Sequence, residues 1–239
     1  MTQDVFKRYE KKYRLTRSQF HQLMFYFSRR MTMDQYGTHK ICNIYYDTPD
    51  YELIRTSLEK PEYKEKIRLR SYGVPSEGDT VFLELKKKYD GVVYKRRAAM
   101  TFWEAQEYLT EHIKPKEDSQ ILCELDYTIL RYGLKPAVYL SYDRTAYYGN
   151  EDHELRVTFD SNMIGRSHAL DLGMGSFGVD VLDQDQVLME VKLLGAMPVW
   201  MCGVLSELNI FPSSFSKYGN YYKNYLLKQK IETGGTNCA

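Results

Sequence analysis

The segment Tyr63–Tyr72, with the sequence YKEKIRLRSY, alternates basic and apolar side chains. In a β-strand, residues two positions apart share a face. Lys66, Arg68 and Arg70 therefore lie on one face of the predicted strand, and the apolar side chains between them lie on the other. A sheet built from such strands has one apolar face to bury, and this favours an antiparallel sheet covered by helices on that face.

Neighbouring segments extend this pattern along the chain. Strands are predicted over Phe6–Leu15, Lys40–Asp47, Tyr63–Tyr72, Thr80–Lys88, Val92–Met100, Pro136–Ala146, His153–Asp160 and Gln186–Leu194. Helices are predicted over Arg17–Met31, after Thr48-Pro49 as far as Ser57, over Phe102–His112, from Pro198 to about Leu208, and near the C-terminus. Eight strands are enough to close a barrel. We therefore predict an α+β fold, an eight-stranded antiparallel closed β-barrel with helices packed outside.

Length and composition are consistent with one domain. The chain has 239 residues, of which 43% are hydrophobic, and its turn residues are spread evenly without a linker or repeat. We predict a single domain over residues 1–230 and a disordered tail over residues 231–239. No apolar run is long enough to span a bilayer. Charged residues near the N-terminus do not match a signal peptide, so a cytoplasmic location is expected.

The net charge of +1 conceals an uneven distribution of charge. The charged strand faces carry basic residues at Arg8, Lys12, Lys66, Arg68, Arg70, Lys86, Lys88, Lys95, Arg97, Arg144, Arg156 and Lys192. The acidic residues on those faces are Glu10, Glu84, Asp160 and Glu190. A solvated face would mix the two signs more evenly. This surplus of cations favours a face that binds a polyanion, with the barrel lumen as its expected place.

Phosphate is the polyanion that suits these side chains best. Arg makes bidentate contacts with phosphate, and Lys makes point-charge contacts. The isolated carboxylates could hold a divalent cation that bridges phosphate oxygens. A non-catalytic phosphate or polyphosphate sensor is an alternative that would not need Glu190. Nucleic acid is not expected, because a closed lumen is too narrow for bases.

Six short motifs occur in an order that resembles a known family. They are Lys66-Ile67-Arg68-Leu69-Arg70, Glu84-Leu85-Lys86, Tyr142-Asp143-Arg144, Arg156-Val157-Thr158-Phe159-Asp160, Glu190-Val191-Lys192 and Phe215-Ser216-Lys217. Together they resemble the triphosphate tunnel metalloenzymes, and specifically the VTC domain of polyphosphate polymerases. The resemblance runs from about Arg8 to Lys217, nearly the whole chain.

The resemblance implies an ATP-dependent polyphosphate polymerase that uses Mn²⁺ or Mg²⁺. The residues it places on phosphates are Lys12, Arg68, Arg70, Lys86, Arg144, Arg156 and Lys217. Further substrate-binding residues are expected at Arg8, Lys66, Lys88, Lys95, Arg97, Tyr142, Lys192 and Ser216. Glu190 is the expected principal metal ligand, with Glu10 and Glu84 as further ligands.

One departure from the wider superfamily bears on the reaction. Hydrolases and cyclases of that superfamily typically begin with Glu-x-Glu-x-Lys, whereas this chain has Arg8-Tyr9-Glu10-Lys11-Lys12. Replacing a carboxylate by a cation favours a phosphate acceptor over a metal-bound water. Triphosphate hydrolysis stays open as an alternative. The resemblance also implies a separately encoded membrane partner, which would hold the protein at the inner face of a membrane.

Overall fold

A computed structural model describes residues 9–90, 92–115 and 119–229 of the chain. The strands are β1 (Tyr9–Thr16), β2 (Met31–Asp47), β3 (Tyr63–Tyr72), β4 (Thr80–Tyr89), β5 (Val92–Thr101), β6 (Lys135–Gly149), β7 (Arg156–Arg166), β8 (Val179–Asp180) and β9 (Gln186–Leu193). The helices are α1 (Arg17–Phe27), α2 (Glu52–Leu58), α3 (Phe102–Glu111), α4 (Gln120–Tyr132), α5 (Val199–Glu207) and α6 (Lys217–Tyr221), which a π-helical turn at Tyr222–Leu226 continues. Arg8 and the predicted tail at residues 231–239 lie outside the described residues.

The strands form one antiparallel sheet, but the predicted closed barrel is wrong. The hydrogen-bonded order is β1-β9-β7-β6-β2-β3-β4-β5, with β8 paired to β7. Among the described residues, the end strands β1 and β5 do not pair, so the sheet is open. Part of the β1 edge is instead used by a loop, since the Ser213 amide donates to the Lys12 carbonyl and Tyr13 forms a bridge with Pro212. Strand number permits closure without requiring it.

The chain packs as two compact units, which we call the first unit and the second unit. The first unit contains described residues 9–40, 142–163 and 182–215. The second contains the described residues within 41–141, 164–181 and 216–229. The prediction of a single domain stays a prediction. No helix in the described part of the chain combines the length and apolar character needed to cross a membrane.

Each unit has its own apolar core, built from the apolar strand faces that the alternation predicts. In the second unit, Ile67 and Leu69 on β3 are buried with Leu83 and Leu85 on β4. Helices α3 and α4 cover them. In the first unit, apolar side chains of β1, β7 and β9 pack against α1 and α5. Because each apolar face is buried, the opposite, charged face of each strand is fixed in orientation.

The helix starts follow local hydrogen bonding. Thr16 and Thr101 form the predicted capping boxes at the starts of α1 and α3. The predicted helix start at Thr48-Pro49 is wrong, because α2 begins at Glu52 after Tyr51 in the left-handed conformation. The Thr48 hydroxyl accepts the Glu52 amide at 2.8 Å, so it caps this helix from a turn further upstream.

Candidate functional site

Strands β3, β4 and β5 of the second unit present one nearly uniform basic face. Its cations are Lys64, Lys66, Arg68, Arg70, Lys86, Lys88, Lys95 and Arg97. Glu84 is the one carboxylate on this face of the three strands, all of which are described. We call this surface the basic face. It gathers the cations that the sequence predicts on these strands, and it adds Lys64.

The register divides the basic face into rows across the strands. Lys64 lies opposite Lys88, and Lys66 lies opposite Lys86, which in turn lies opposite Lys95. We call these five residues the lysine rows. The next row is mixed, because a carboxylate lies between two arginines there. Like charges directly opposite each other destabilise a sheet, so the lysine rows favour a bound anion beside them.

Glu84 is the centre of the mixed row. Arg68 Nη2 lies 2.7 Å from Glu84 Oε2, and Arg97 Nη2 lies 2.8 Å from Oε1. Lys95 Nζ lies 3.1 Å from Oε1, and Arg70 Nη1 lies 3.8 Å from Oε2. Burial alone would raise the pKa of Glu84, but the charges of Arg68, Arg70 and Lys95 outweigh it and lower the pKa to about 2. Glu84 is therefore ionised and holds four cations at fixed spacing.

Strand β2 adds two polar groups that sequence reasoning did not assign to the site. The Asn43 Oδ1 atom accepts a hydrogen bond from Arg70 Nε at 2.9 Å. The Tyr45 hydroxyl accepts one from Arg68 Nη1 at 3.2 Å. Burial would raise the pKa of Tyr45, but the nearby charges of Arg68, Arg70 and Lys66 lower it to about 8. Both residues lie directly opposite these arginines. The alternation of side chains along β2 could therefore have placed Asn43 and Tyr45 on the same face as the arginines.

The start of α6 borders the basic face of the second unit. The Ser216 hydroxyl caps the helix by accepting the Gly219 amide at 3.2 Å. Lys66 Nζ donates to the same hydroxyl at 3.4 Å. Lys217 follows and is 9% exposed. Ser216 thus has a structural role at the helix start, and Lys66 joins that start to the basic face.

The first unit holds a second group of predicted site residues, which we call the Glu190 cluster. It contains Glu10, Lys12, Arg144, Asp160 and Glu190. Lys12 Nζ lies 3.4 Å from Glu10 Oε1 and 3.5 Å from Glu190 Oε1. It also donates to the Phe215 carbonyl at 3.1 Å. Unlike the basic face, this cluster balances its charges closely.

Arg144 is held rigidly in the Glu190 cluster. Its Nε and Nη2 atoms each lie 2.7 Å from an oxygen of Asp160, which is fully buried. Its Nη2 also lies 3.6 Å from Glu190 Oε2. Burial would lower the pKa of Arg144, but Tyr142, Asp160 and Glu190 raise it further above its usual value. Sequence reasoning placed Asp160 on the charged face but did not recognise it as the partner that orients Arg144.

The remaining predicted residues of the first unit lie on the same strand faces. Arg156 on β7 is directly opposite Lys192 on β9, and Lys192 is directly opposite Glu10 on β1. Arg156 is exposed, whereas Tyr142 is buried with its ring 5.2 Å from the guanidinium carbon of Arg144. Tyr142 therefore contacts the cluster through Arg144.

The chemistry of two of the three predicted acidic ligands suits a divalent metal ion, and their role as ligands stays a prediction. The Oε1 atoms of Glu10 and Glu190 both point at one cationic position, which Lys12 Nζ occupies. Magnesium in proteins commonly binds one or two carboxylates together with substrate phosphates. Among the described residues, no group of three or more His, Cys, Asp or Glu side chains could hold a metal. Both oxygens of Glu84 contact cations, so Glu84 acts as the counter-ion of those side chains. Its role as a metal ligand stays a prediction.

Comparison with known proteins agrees with the order of these motifs. The sequence model of the VTC domain family matches residues 7–225. The chain belongs to the VTC domain family. Vacuolar transporter chaperone complex subunit 4 of Schizosaccharomyces pombe is 28% identical over 145 residues, 52% of this chain and 20% of that protein. The subunit 4 of Trypanosoma cruzi is 27% identical over 164 residues, 56% of this chain and 20% of that protein.

Solved structures share the fold of this VTC domain. A proposed adenylate cyclase from Bacillus halodurans aligns with a TM-score of 0.57 and 15% identity, over 92% of this chain and 98% of that one. A proposed adenylyl cyclase from Hippeastrum, described as having a dominant triphosphatase activity, aligns with a TM-score of 0.53 and 18% identity, over 90% and 94% of the chains. At these identities the likeness concerns the fold alone. The VTC domain spans about a fifth of the length of its curated relatives.

Proposed function

We propose that this VTC domain is an ATP-dependent polyphosphate polymerase. The observation that carries the proposal is the basic face, where eight cations of β3–β5 meet one carboxylate in a chain of net charge +1. Family membership and the relatives named as vacuolar transporter chaperone subunits support the same reading.

The proposed reaction transfers the γ-phosphoryl group of ATP to the terminal phosphate of a polyphosphate chain. The bond from the γ-phosphorus to the bridging oxygen breaks, a bond to a terminal phosphate oxygen forms, and ADP leaves. Phosphoryl transfer depends mainly on positioning and on stabilising charge. The cations of the basic face would bind and orient phosphate oxygens. Four of them are held at fixed spacing around Glu84, which limits reorganisation during the transfer.

The Glu190 cluster would supply further contacts. Arg144 has its guanidinium fixed by Asp160, so a donor is held ready for a phosphate oxygen. Glu190 and Glu10 would hold Mn²⁺ or Mg²⁺. Such an ion would supply positive charge that neutralises the phosphates. Lys12 would then contact phosphate instead of the two carboxylates.

The test is an assay of purified protein with ATP and Mn²⁺ or Mg²⁺ that follows ADP and acid-stable polyphosphate together. We expect polyphosphate to increase in step with ADP. Orthophosphate without polymer would replace the proposal with a triphosphatase, and tight ATP binding without either product would replace it with a sensor. Glu190→Gln is expected to abolish metal-dependent turnover. Glu151→Gln, at an exposed position of the same unit, is the matched control and keeps full activity.

A partner follows from the same comparison. The relatives are named as subunits of a complex, so we propose that this chain also works with separately encoded subunits at a membrane. Affinity purification of the tagged chain from its native cells, with and without detergent, tests this. Recovery of a membrane protein only in detergent is the expected result, and recovery of the chain alone in both would contradict it.

A further inference from the structure

The outer of the lysine rows lies beyond the part of the basic face that Glu84 neutralises. Lys64 lies four residues before Arg68 on β3, which places the two on the order of 13 Å apart along the strand. Lys64 and Lys88 form the outermost row. Among the described residues, neither has a carboxylate within ion-pair distance. The cationic surface therefore continues well past the arginines that the family motif contains.

Like charges surround Lys64. Burial lowers the pKa of Lys64, and the nearby ammonium groups of Lys88, Lys86 and Lys60 lower it further. The Lys64 ammonium donates a hydrogen bond to the Ser57 carbonyl at 3.3 Å. A carbonyl provides a partner for the proton but no negative charge. Repulsion among these ammonium groups would be relieved by an anion with several charges at this end of the strand pair.

We propose that Lys64 and Lys88 form a remote subsite for polyphosphate, which binds phosphates several positions away from the transferred group. The proposal rests on the proposed polymerase function and specifies which end of the basic face the chain follows. A triphosphate held at Arg68 and Arg70 is too short to reach this end as well. The remote subsite thus makes affinity depend on chain length.

The test compares two probes, inorganic tripolyphosphate and long-chain polyphosphate, on the wild-type chain and on the double variant Lys64→Gln with Lys88→Gln. Binding is measured by titration at one fixed ionic strength, because phosphate contacts are strongly dependent on salt. The matched control is Lys135→Gln with Lys228→Gln, which removes the same two charges at exposed positions of the second unit. Melting curves verify that all three proteins are folded.

We expect the double variant to lose about 25-fold in affinity for long-chain polyphosphate, since each of the two lysines contributes about a fivefold factor beside an anionic surface. Affinity for tripolyphosphate is expected to stay within about twofold of wild type, and the control to match wild type with both probes. Equal losses with both probes would place these lysines at the triphosphate and overturn the remote subsite. Unchanged binding of both probes would overturn it too.

The wild-type chain separates failure of this proposal from failure of the proposed function. If it binds both probes and the variants do not differ, only the remote subsite is wrong. If it binds tripolyphosphate but no long-chain polyphosphate, the polymerase and the remote subsite are both wrong. If it binds neither, the proposed function fails first.

Discussion

Replacing Glu84 with Gln should destabilise the second unit by about 3 kcal/mol at neutral pH. The carboxylate is 2% exposed and contacts four cations, which lower its pKa from an ordinary 4.5 to about 2. One pKa unit corresponds to about 1.4 kcal/mol, so the ionised form contributes about 3 kcal/mol. Gln has the same shape but no charge, and it leaves the cations to repel one another.

The effect depends on pH with a definite sign. Because the pKa of folded Glu84 is depressed, its contribution is complete above pH 4.5 and is lost as pH falls towards about 2. The wild type and Glu84→Gln should therefore differ by about 3 kcal/mol at pH 7 and converge near pH 2. An equal difference at both pH values would show that shape, not charge, is responsible.

Urea denaturation measures this loss without the screening that guanidinium would add. Trp103 lies in the second unit and Trp200 in the first, so a Trp200→Phe background lets fluorescence report the second unit. Glu124→Gln is the control, because its ion pair with Arg96 is partly exposed and should contribute within about 1 kcal/mol. A loss below about 1 kcal/mol for Glu84→Gln would refute the reasoning, since the cations would then hold their positions without a counter-ion.

Further outcomes follow from single contacts. Absorbance titration should show a phenol ionising near pH 8, and Tyr45→Phe should remove that step; its persistence would mean another tyrosine is responsible. Phosphoryl transfer should fall at least about tenfold in Arg144→Lys, because Lys cannot keep the bidentate contact, and unchanged kcat would contradict this. Gly178→Ala would place a Cβ 2.3 Å from the Gly165 carbonyl oxygen, on a residue whose φ is +148°. Urea titration should therefore show a loss of about 2 kcal/mol or more in the free energy of unfolding. Gly203→Ala is the control and should cost nothing, because no atom lies within 4 Å of the added Cβ.

Strand faces were predictable because the side-chain period of a strand is two. Ile67 and Leu69 are buried where alternation placed them, and Arg68 points to the opposite face. The strand over Tyr63–Tyr72 has the predicted bounds. A shift of one residue would expose every apolar side chain, so the pattern specifies the face strongly.

Closure of the sheet was not predictable from the same pattern. It depends on which group pairs with the outer edge of each end strand, and alternation describes faces, not edges. At β1, the Lys12 carbonyl accepts from the Ser213 amide, a contact between residues far apart in sequence. Helix α4 was also missed, although Ser119 caps it and Gly133 ends it at positive φ. Those two signals were present in the sequence and could have been used.

The cations of the site were predictable, but their internal pairing was not. The alternation of side chains along a strand places Arg68 and Arg97 on one face with Glu84. It does not reveal that this one carboxylate contacts four cations. The Glu190 cluster presents the same difficulty, because the bidentate contact between Arg144 and Asp160 depends on the pairing of β6 with β7 in the sheet. Sequence therefore identified which charges are present, and the structure was needed to determine which of them are already compensated.

The difference between compensated and uncompensated cations divides the basic face into two parts with different roles. At the mixed row, Glu84 compensates the arginines, so a phosphate there competes with a carboxylate for donors whose positions are already fixed. Such donors favour precise orientation over strong attraction. At the lysine rows, the outer ammonium groups of Lys64 and Lys88 have no compensating carboxylate among the described residues, so a bound anion relieves repulsion. Affinity for a long polyphosphate chain should then come mainly from the lysine rows, and orientation of the reacting phosphate from the mixed row. Removing Glu84 should therefore change the free energy of unfolding, whereas removing Lys64 should change the affinity for long-chain polyphosphate.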